Sequence, residues 1–260
     1  MNGESREKRS EAGTGTAPHP VLKKYYERES DRRPFVSALF DNGAAYYDWI
    51  CGLGSMGSGR FYRRWILTKY GLRAGMKLLD VATGTGLVAR AATRILREPG
   101  AVVGLDPSIG MLRQAQKSLA IPLVQGIVEE LPFATDHFDF LSMGYALRHV
   151  SDLAATFREY LRVLKPGGRV CVLEITRPRG RVSLGLLRVY MGWLIPGLTR
   201  LAGRREKSKQ LWSYYWDTIE HCVPPERILD AMHAAGFTDV DRHVELGIFS
   251  AYTATRLAST

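Results

Sequence analysis

One stretch restricts the fold more than any other: Leu78-Leu79-Asp80-Val81-Ala82-Thr83-Gly84-Thr85-Gly86. A short apolar run that ends in a glycine turn reads as a buried strand giving way to a helix. Gly84 and Gly86 lack Cβ atoms, so the backbone there can turn sharply and come close to a ligand. Asp106 stands about 20 residues further on, closing a second apolar run, Ala101-Val102-Val103-Gly104-Leu105. A parallel sheet holds the ribose of an adenosine-containing ligand in this way: the turn admits the ligand and the acid accepts from the ribose hydroxyls. An isolated Asp-Pro pair such as Asp106-Pro107 would be a simple turn, and its distance from the glycines is what assigns it to a site.

The same alternation continues along the chain. Strands are expected at 77–81, 101–105, 122–125, 138–143 and 169–175, with helices at 87–96, 108–119 and 153–164. Pro166-Gly167-Gly168 reads as the turn before the fifth strand. Strand-helix repetition of this kind means a parallel sheet covered on both faces. Ahead of it, 25–50 and 60–70 read as helices, the second with Phe61, Trp65 and Ile66 on one face. After it, 182–210 is apolar and basic at once and too long for a simple crossover, so it reads as a helical insertion. A further helix is expected at 224–235, and 240–246 with 249–256 close the chain as a β-hairpin around Gly247. With 260 residues, 45% of them hydrophobic, the chain reads as one α/β domain over 25–260 with an insertion or lid at about 182–222. A polar tail at 1–24 is expected to be disordered.

Charge and cysteine usage narrow the function classes. Cys51, Cys171 and Cys222 lie far apart with no CxxC pair, so neither a metal site nor disulfides are expected, and the compartment is a reducing one, the cytoplasm. No uncharged apolar run reaches membrane-spanning length. The formal net charge is +10, and across 177–209 nine basic residues face one acid, Glu206. A charge run is commonly a solvated face. Here Leu186, Val189, Tyr190, Trp193 and Leu194 alternate with those bases, which suits the lining of a tunnel or lid for an apolar tail with cations resting on anionic headgroups. Peripheral membrane association through 182–209 is therefore expected. The leucine-rich character of the basic region speaks against nucleic acid as a partner. A homodimer is compatible with the chain.

The glycine turn alone leaves the ligand open. Gly84-Thr85-Gly86-Leu87-Val88-Ala89 also fits the dinucleotide pattern G-x-G-x-x-A, so a nicotinamide cofactor is a rival. Residues downstream separate the two. Asp106-Pro107-Ser108-Ile109-Gly110-Met111-Leu112 is followed by Glu129-Glu130-Leu131-Pro132-Phe133, by Phe138-Asp139, and by Arg162-Val163-Leu164-Lys165-Pro166-Gly167-Gly168. In order and spacing these motifs resemble the class I S-adenosylmethionine-dependent methyltransferases, over roughly 46–256. Tyr46-Tyr47-Asp48, Ala146-Leu147-Arg148-His149-Val150 and Leu173-Glu174-Ile175-Thr176-Arg177-Pro178 are most similar to the C-methyltransferases of ubiquinone and menaquinone biosynthesis. Such enzymes methylate an electron-rich ring carbon of a polyprenylated aromatic.

The resemblance implies a Rossmann-like class I methyltransferase fold: a seven-stranded, mostly parallel sheet with a helical N-terminal arm and a helical insertion after strand 5. It implies S-adenosyl-L-methionine as cofactor, with S-adenosyl-L-homocysteine as product, and a hydrophobic small molecule as substrate. Thr83, Thr85 and the backbone of Gly84 and Gly86 would border the methionine part. Asp106 and Pro107 would meet the ribose, Met111 the adenine face, and Ile127 and Val128 the adenine edge. Gly144 would lie near the sulfonium and Tyr47 would close over the cofactor. Departures from the family pattern are Thr83-Gly84-Thr85-Gly86-Leu87 for Gly-Gly-Thr-Gly-Asp, Ile127-Val128 for Asn-Ala, and Arg148-His149 for Arg-Asn. Attack by a ring carbon needs its hydroxyl polarised or deprotonated. Arg148 is a candidate to polarise it, His149 to act as base, and Tyr145 to assist. C- or O-methylation of a polyketide, terpenoid or other specialised metabolite is a rival reading, and a non-catalytic cofactor-binding partner protein is another.

Overall fold

Each β-strand of the parallel run is apolar on both faces, because helices cover the sheet on both sides. The computed structural model describes residues 17–54, 59–178, 180–194, 197 and 205–258. In chain order these form α1 (Glu29–Gly54), α2 (Gly59–Lys69), β1 (Leu78–Val81), α3 (Leu87–Leu96), β2 (Val102–Asp106), α4 (Ile109–Gln116), β3 (Leu123–Gln125) and β4 (Phe138–Gly144). There follow α5 (Leu153–Val163), β5 (Leu164–Ile175), α6 (Arg181–Val189), α7 (Arg205–His221), α8 (Pro225–Ala235), β6 (Phe237–Glu245) and β7 (Phe249–Arg256). The seven strands form one sheet in the order β3-β2-β1-β4-β5-β7-β6. β7 runs antiparallel to β5 and β6, and the other pairings are parallel. The strand order reverses between β1 and β4, and the crevice beyond their carboxyl ends is where such a sheet binds ligands.

Alternate residues of each strand feed two cores. Leu79, Val81, Leu141 and Met143 join Phe157, Tyr160, Ile228 and Met232 on the α5–α8 side. Leu78, Val102, Phe140 and Cys171 join Ile66, Leu67, Ala89 and Ala92 on the α2–α3 side. A third cluster lies apart from both: Leu22, Val36, Leu39, Leu187, Met191, Trp212, Tyr214 and Tyr215 tie α1, α6 and α7 into a cap.

Four expectations are corrected. The tail does not extend to residue 24: His19 and Leu22 are buried, and Arg32 donates from Nη2 to the His19 carbonyl at 2.7 Å, which fixes this stretch to α1. Residues 1–16 lie outside the described residues. The inner face of α2 is Arg63, Ile66 and Leu67, while Phe61 and Trp65 are exposed. Phe61 lies 4.7 Å from the Arg60 guanidinium, and Trp65 lies 4.7 Å from the Lys69 ammonium, so each exposed ring has a cation beside it. β5 begins at Leu164 rather than 169, because Lys165-Pro166-Gly167-Gly168 is accommodated as an irregularity in its pairing with β4. Finally, α6 turns Leu187 and, with the turn after it, Met191 inward, so Leu186 and Val189 are exposed and line no tunnel. The side chains of Arg179, Trp193, Leu194, Arg200, Arg204, Arg205, Lys207 and Lys209 lie outside the described residues. Among the described residues no helix is long and apolar enough to cross a membrane.

Candidate functional site

Asp80 is a carboxylate inside an otherwise apolar strand, and it builds the floor. Its Oδ2 accepts from Thr83 Oγ1 at 2.6 Å and from Ala89 N at 3.1 Å, and its Oδ1 accepts from Ser142 Oγ at 2.7 Å. One side chain therefore joins the glycine turn, the first turn of α3 and β4. Burial pushes its pKa up to about 6 against these three bonds. Ala82 and Tyr145, just past the ends of β1 and β4, both take left-handed backbone angles (φ +52° and +62°), and both line the crevice. Non-glycine residues held there mark a backbone the surroundings over-determine.

The adenosine end gathers around Asp106. Its Oδ2 accepts from Gly84 N and its Oδ1 from Ser108 N, both at 2.8 Å. Burial pushes this carboxyl up to about 6, opposed by the two backbone donors. A Cβ on Gly84 would meet nothing within 4 Å, so the turn faces open space. Pro107, Ser108, Met111, Ile127 and Val128 line the same cavity. Gly86 is corrected: a Cβ there would collide with Leu119, so this glycine allows α3 to seat and borders neither cavity.

The opposite end of the cavity is aromatic and comes largely from the cap. Val36, Ser37, Phe40 and Tyr47 of α1 face Met143, Gly144, Tyr145, Ala146 and His149. His149 is sandwiched between Phe40, 5.3 Å away, and Tyr214, 5.4 Å away and stacked at 22°. Neither of its ring nitrogens has a hydrogen-bond partner among the described residues. Burial, then the nearby Arg148 cation, holds its pKa well below the usual histidine range, so the ring is neutral near pH 7. Burial pushes the Tyr145 hydroxyl up to about 12, so it stays protonated. Arg148 is corrected as a polarising group. Its guanidinium is committed to the buried Glu174 carboxylate, to Tyr145 O at 2.9 Å and to Thr218 Oγ1 at 3.2 Å, and it does not line the cavity. It is a strut between the loop after β4, β5 and α7.

A smaller cavity continues past the glycine turn, lined by Thr83, Thr85, Leu87 and Val88 together with Tyr47, Gly144 and Tyr145. Thr85 Oγ1 donates to Asp48 of α1. Thus Tyr47, Gly84, Asp106, Pro107, Met111, Ile127, Val128 and Gly144 meet at one cavity, with Thr83 and Thr85 next door. Sequence reasoning missed Phe40, Val36 and Asp41. Asp41 accepts from Ser108 Oγ at 2.6 Å and Gly110 N at 2.8 Å, fixing α1 over the start of α4. The polar Asp80 inside β1 was a visible signal, whereas nothing along the chain marks the α1 residues.

A model of the ubiE/COQ5 methyltransferase family matches residues 26–256. The chain is 32% identical over 215 residues to the ubiquinone/menaquinone biosynthesis C-methyltransferase UbiE of Coxiella burnetii, covering 80% of this chain and 85% of the relative. It is 32% identical over 225 residues to the UbiE of Shewanella oneidensis, covering 84% and 88%. Among solved structures, it is similar to an S-adenosylmethionine-dependent methyltransferase from Aquifex aeolicus, with TM-score 0.53 and 19% identity, covering 75% of this chain and 89% of that one. It is also similar to phosphoethanolamine N-methyltransferase 2 of Haemonchus contortus in complex with S-adenosyl-L-methionine, with TM-score 0.60 and 18% identity, covering 84% and 57%. At these identities the two structures bear on the fold.

Proposed function

The chain belongs to the ubiE/COQ5 methyltransferase family, and from that premise we propose that it methylates a ring carbon of a hydrophobic, quinone-type precursor with S-adenosyl-L-methionine as donor. The observation that carries the cofactor is Asp106: a buried carboxylate fixed by Gly84 N–H and Ser108 N–H, facing a cavity with an open glycine turn. Asp106 would hold the ribose, with Met111, Ile127 and Val128 around the base. When bound, the cofactor supplies an electrophilic methyl carbon. The protein then has to align the acceptor and exclude water.

The aromatic end of the cavity supports a planar, apolar acceptor. Phe40, Tyr47 and His149 contribute aromatic rings to its lining, and Val36, Met143 and Val150 contribute aliphatic side chains. His149 is neutral, so it presents one N–H donor and one lone pair. Its lone pair would accept a hydrogen bond from the hydroxyl of the acceptor ring, the partner it lacks, and so polarise the ring. The ring carbon would take the methyl group, with the sulfonium leaving as the thioether S-adenosylhomocysteine, and would then release its own proton to water. A histidine at this position also favours a second reading, C- or O-methylation of another hydroxylated aromatic of specialised metabolism. On its outer face α6 carries Val182, Leu186 and Val189 with Arg181 and Arg188, which supports peripheral contact with the anionic membrane that dissolves a polyprenylated acceptor.

Mass spectrometry of quinone lipids from cells lacking the protein tests the proposal. The expected outcome is loss of the mature quinone and accumulation of a precursor one methyl group lighter. An unchanged quinone profile rejects the quinone acceptor in favour of the second reading.

A further inference from the structure

Arg32 of α1 has no exposed surface and is the largest side chain so buried among the described residues. Its guanidinium spends its donors on three segments. Nη1 donates to Val150 O at 3.1 Å and Nη2 to His19 O at 2.7 Å, while Nε meets Tyr26 Oη at 3.3 Å and the half-exposed Glu29 carboxylate at 3.0 Å. The stretch that supplies His19 is tied in turn to the residues after α7, because Pro18 O accepts from Val223 N at 2.7 Å. Apolar residues of similar volume often replace a buried ion pair at no cost to stability, so stability alone is a weak reason to keep one. What an arginine adds is a planar fork that holds its acceptors in set directions.

One of those acceptors is the residue next in the chain to His149, and both His149 and Val150 line the cavity. His149 makes no hydrogen bond of its own among the described residues. Its place is set by the stacked ring of Tyr214, by Phe40 and by its neighbours in the chain. Arg148, before it, is braced by Glu174 and Thr218. Val150, after it, is held by Arg32. Two buried guanidinium groups from different elements thus clamp the backbone on either side of one imidazole. We propose that Arg32 is a positioning residue for His149, fixing the loop after β4 so that the imidazole stands where the acceptor binds. The assignment rests on the role given to His149 above. The charged and titratable groups that bear on His149 are Arg148, His19 and Arg32, each opposing a proton there, and burial keeps the Tyr214 and Tyr215 hydroxyls beside it protonated. A loop released from Arg32 would admit water to the imidazole and let it titrate nearer the ordinary value of about 6.5.

The test follows His149 by NMR in the full chain labelled at histidine, with its signals assigned by their loss in His149→Phe. This readout needs no acceptor. Wild type is expected to show one neutral His149, displaced by the ring current of the stacked Tyr214, down to about pH 5. Arg32→Met keeps the bulk and loses every donor, and Arg32→Lys keeps the charge and loses the fork. Circular dichroism checks that each variant is folded. In Arg32→Met the ring-current displacement is expected to collapse and the His149 midpoint to rise toward about 6.5, with Arg32→Lys recovering part of both. Should the methionine variant fail to fold, the lysine variant decides on the same signals. Folded variants with wild-type His149 signals would mean that Arg32 only seats the cap. A midpoint that moves while the ring-current displacement stays would mean that Arg32 acts as a charge and positions nothing. Either result overturns the proposal. With a short-tailed 2-prenyl-1,4-naphthohydroquinone as acceptor, Arg32→Met is expected to lower kcat about tenfold or more and to leave the affinity for S-adenosylhomocysteine within about twofold, and an unchanged kcat also overturns it. Wild-type protein that does not methylate this acceptor overturns the quinone reading, while the His149 signals still decide the role of Arg32.

Discussion

Asp80 and Asp106 are buried carboxylates with the same shift and different duties. All of Asp80's bonds go to the protein's own hydroxyls and one N–H, which makes it a brace for the turn. Asp106 is held by two backbone donors and keeps a face on the cavity. Removing a charged acceptor for ribose hydroxyls should cost about 1.5–3 kcal/mol of binding. Asp106→Ala is therefore predicted to weaken S-adenosylhomocysteine more than about tenfold with the thermal midpoint little changed. The wild-type affinity should also fall as pH drops through about 6, where Asp106 takes up its proton, and the variant should lack that dependence. A folded variant with wild-type affinity removes Asp106 from the site. Gly84 and Asp106 were legible because spacing along one chain places them. The orphaned nitrogens of His149 and the buried charge of Arg32 were not, since both depend on which segments close over them.

At the scale of elements, legibility followed local signals. The bounds expected for α3 at 87–96 and β7 at 249–256 are those observed, because a glycine turn and a hairpin mark them. The inner faces of α2 and α6 could not be read the same way. Both helices carry apolar residues on more than one side, and the partner surface decides which side goes in. In α6 the outer residues Val182, Leu186 and Val189 recur at helical spacing, beside Arg181 and Arg188. Arg188 already pairs with Glu220 at 2.6 Å, so attraction to anionic lipid should be modest and salt-sensitive. The prediction is co-sedimentation with anionic vesicles at low salt that weakens at high salt. Changing Val182, Leu186 and Val189 together to Ser should abolish it and leave S-adenosylhomocysteine binding intact. Wild-type protein that ignores such vesicles would make α6 a plain cover for α1 and α7.

For the molecule as a whole, acid response is a contest among buried groups. His149 is held neutral in the fold, and burial lowers His19 to about 4. Unfolded, each binds a proton below about 6.5, so both add stability as pH rises toward that value. Asp80 and Asp106, raised to about 6, act with the opposite sign between about 4 and 6: their neutral forms favour the fold and their ionisation weakens it. Replacing His149 with Phe removes one side of the contest. The variant should gain on wild type at about pH 5 and lose that advantage by about pH 7, read as the difference in thermal midpoints. Parallel midpoints at the two pH values would show that His149 does not resist protonation. The cap that buries His149 meets the sheet domain where Asp41 sits over Gly110, and a Cβ at residue 110 would come within 3.1 Å of the Asp41 backbone. Positions 41 and 110 are therefore expected to change together among relatives. A side chain at 110 presses on the helix above it, so substitutions at 41 and 110 are expected in the same lineages, which an alignment of relatives checks.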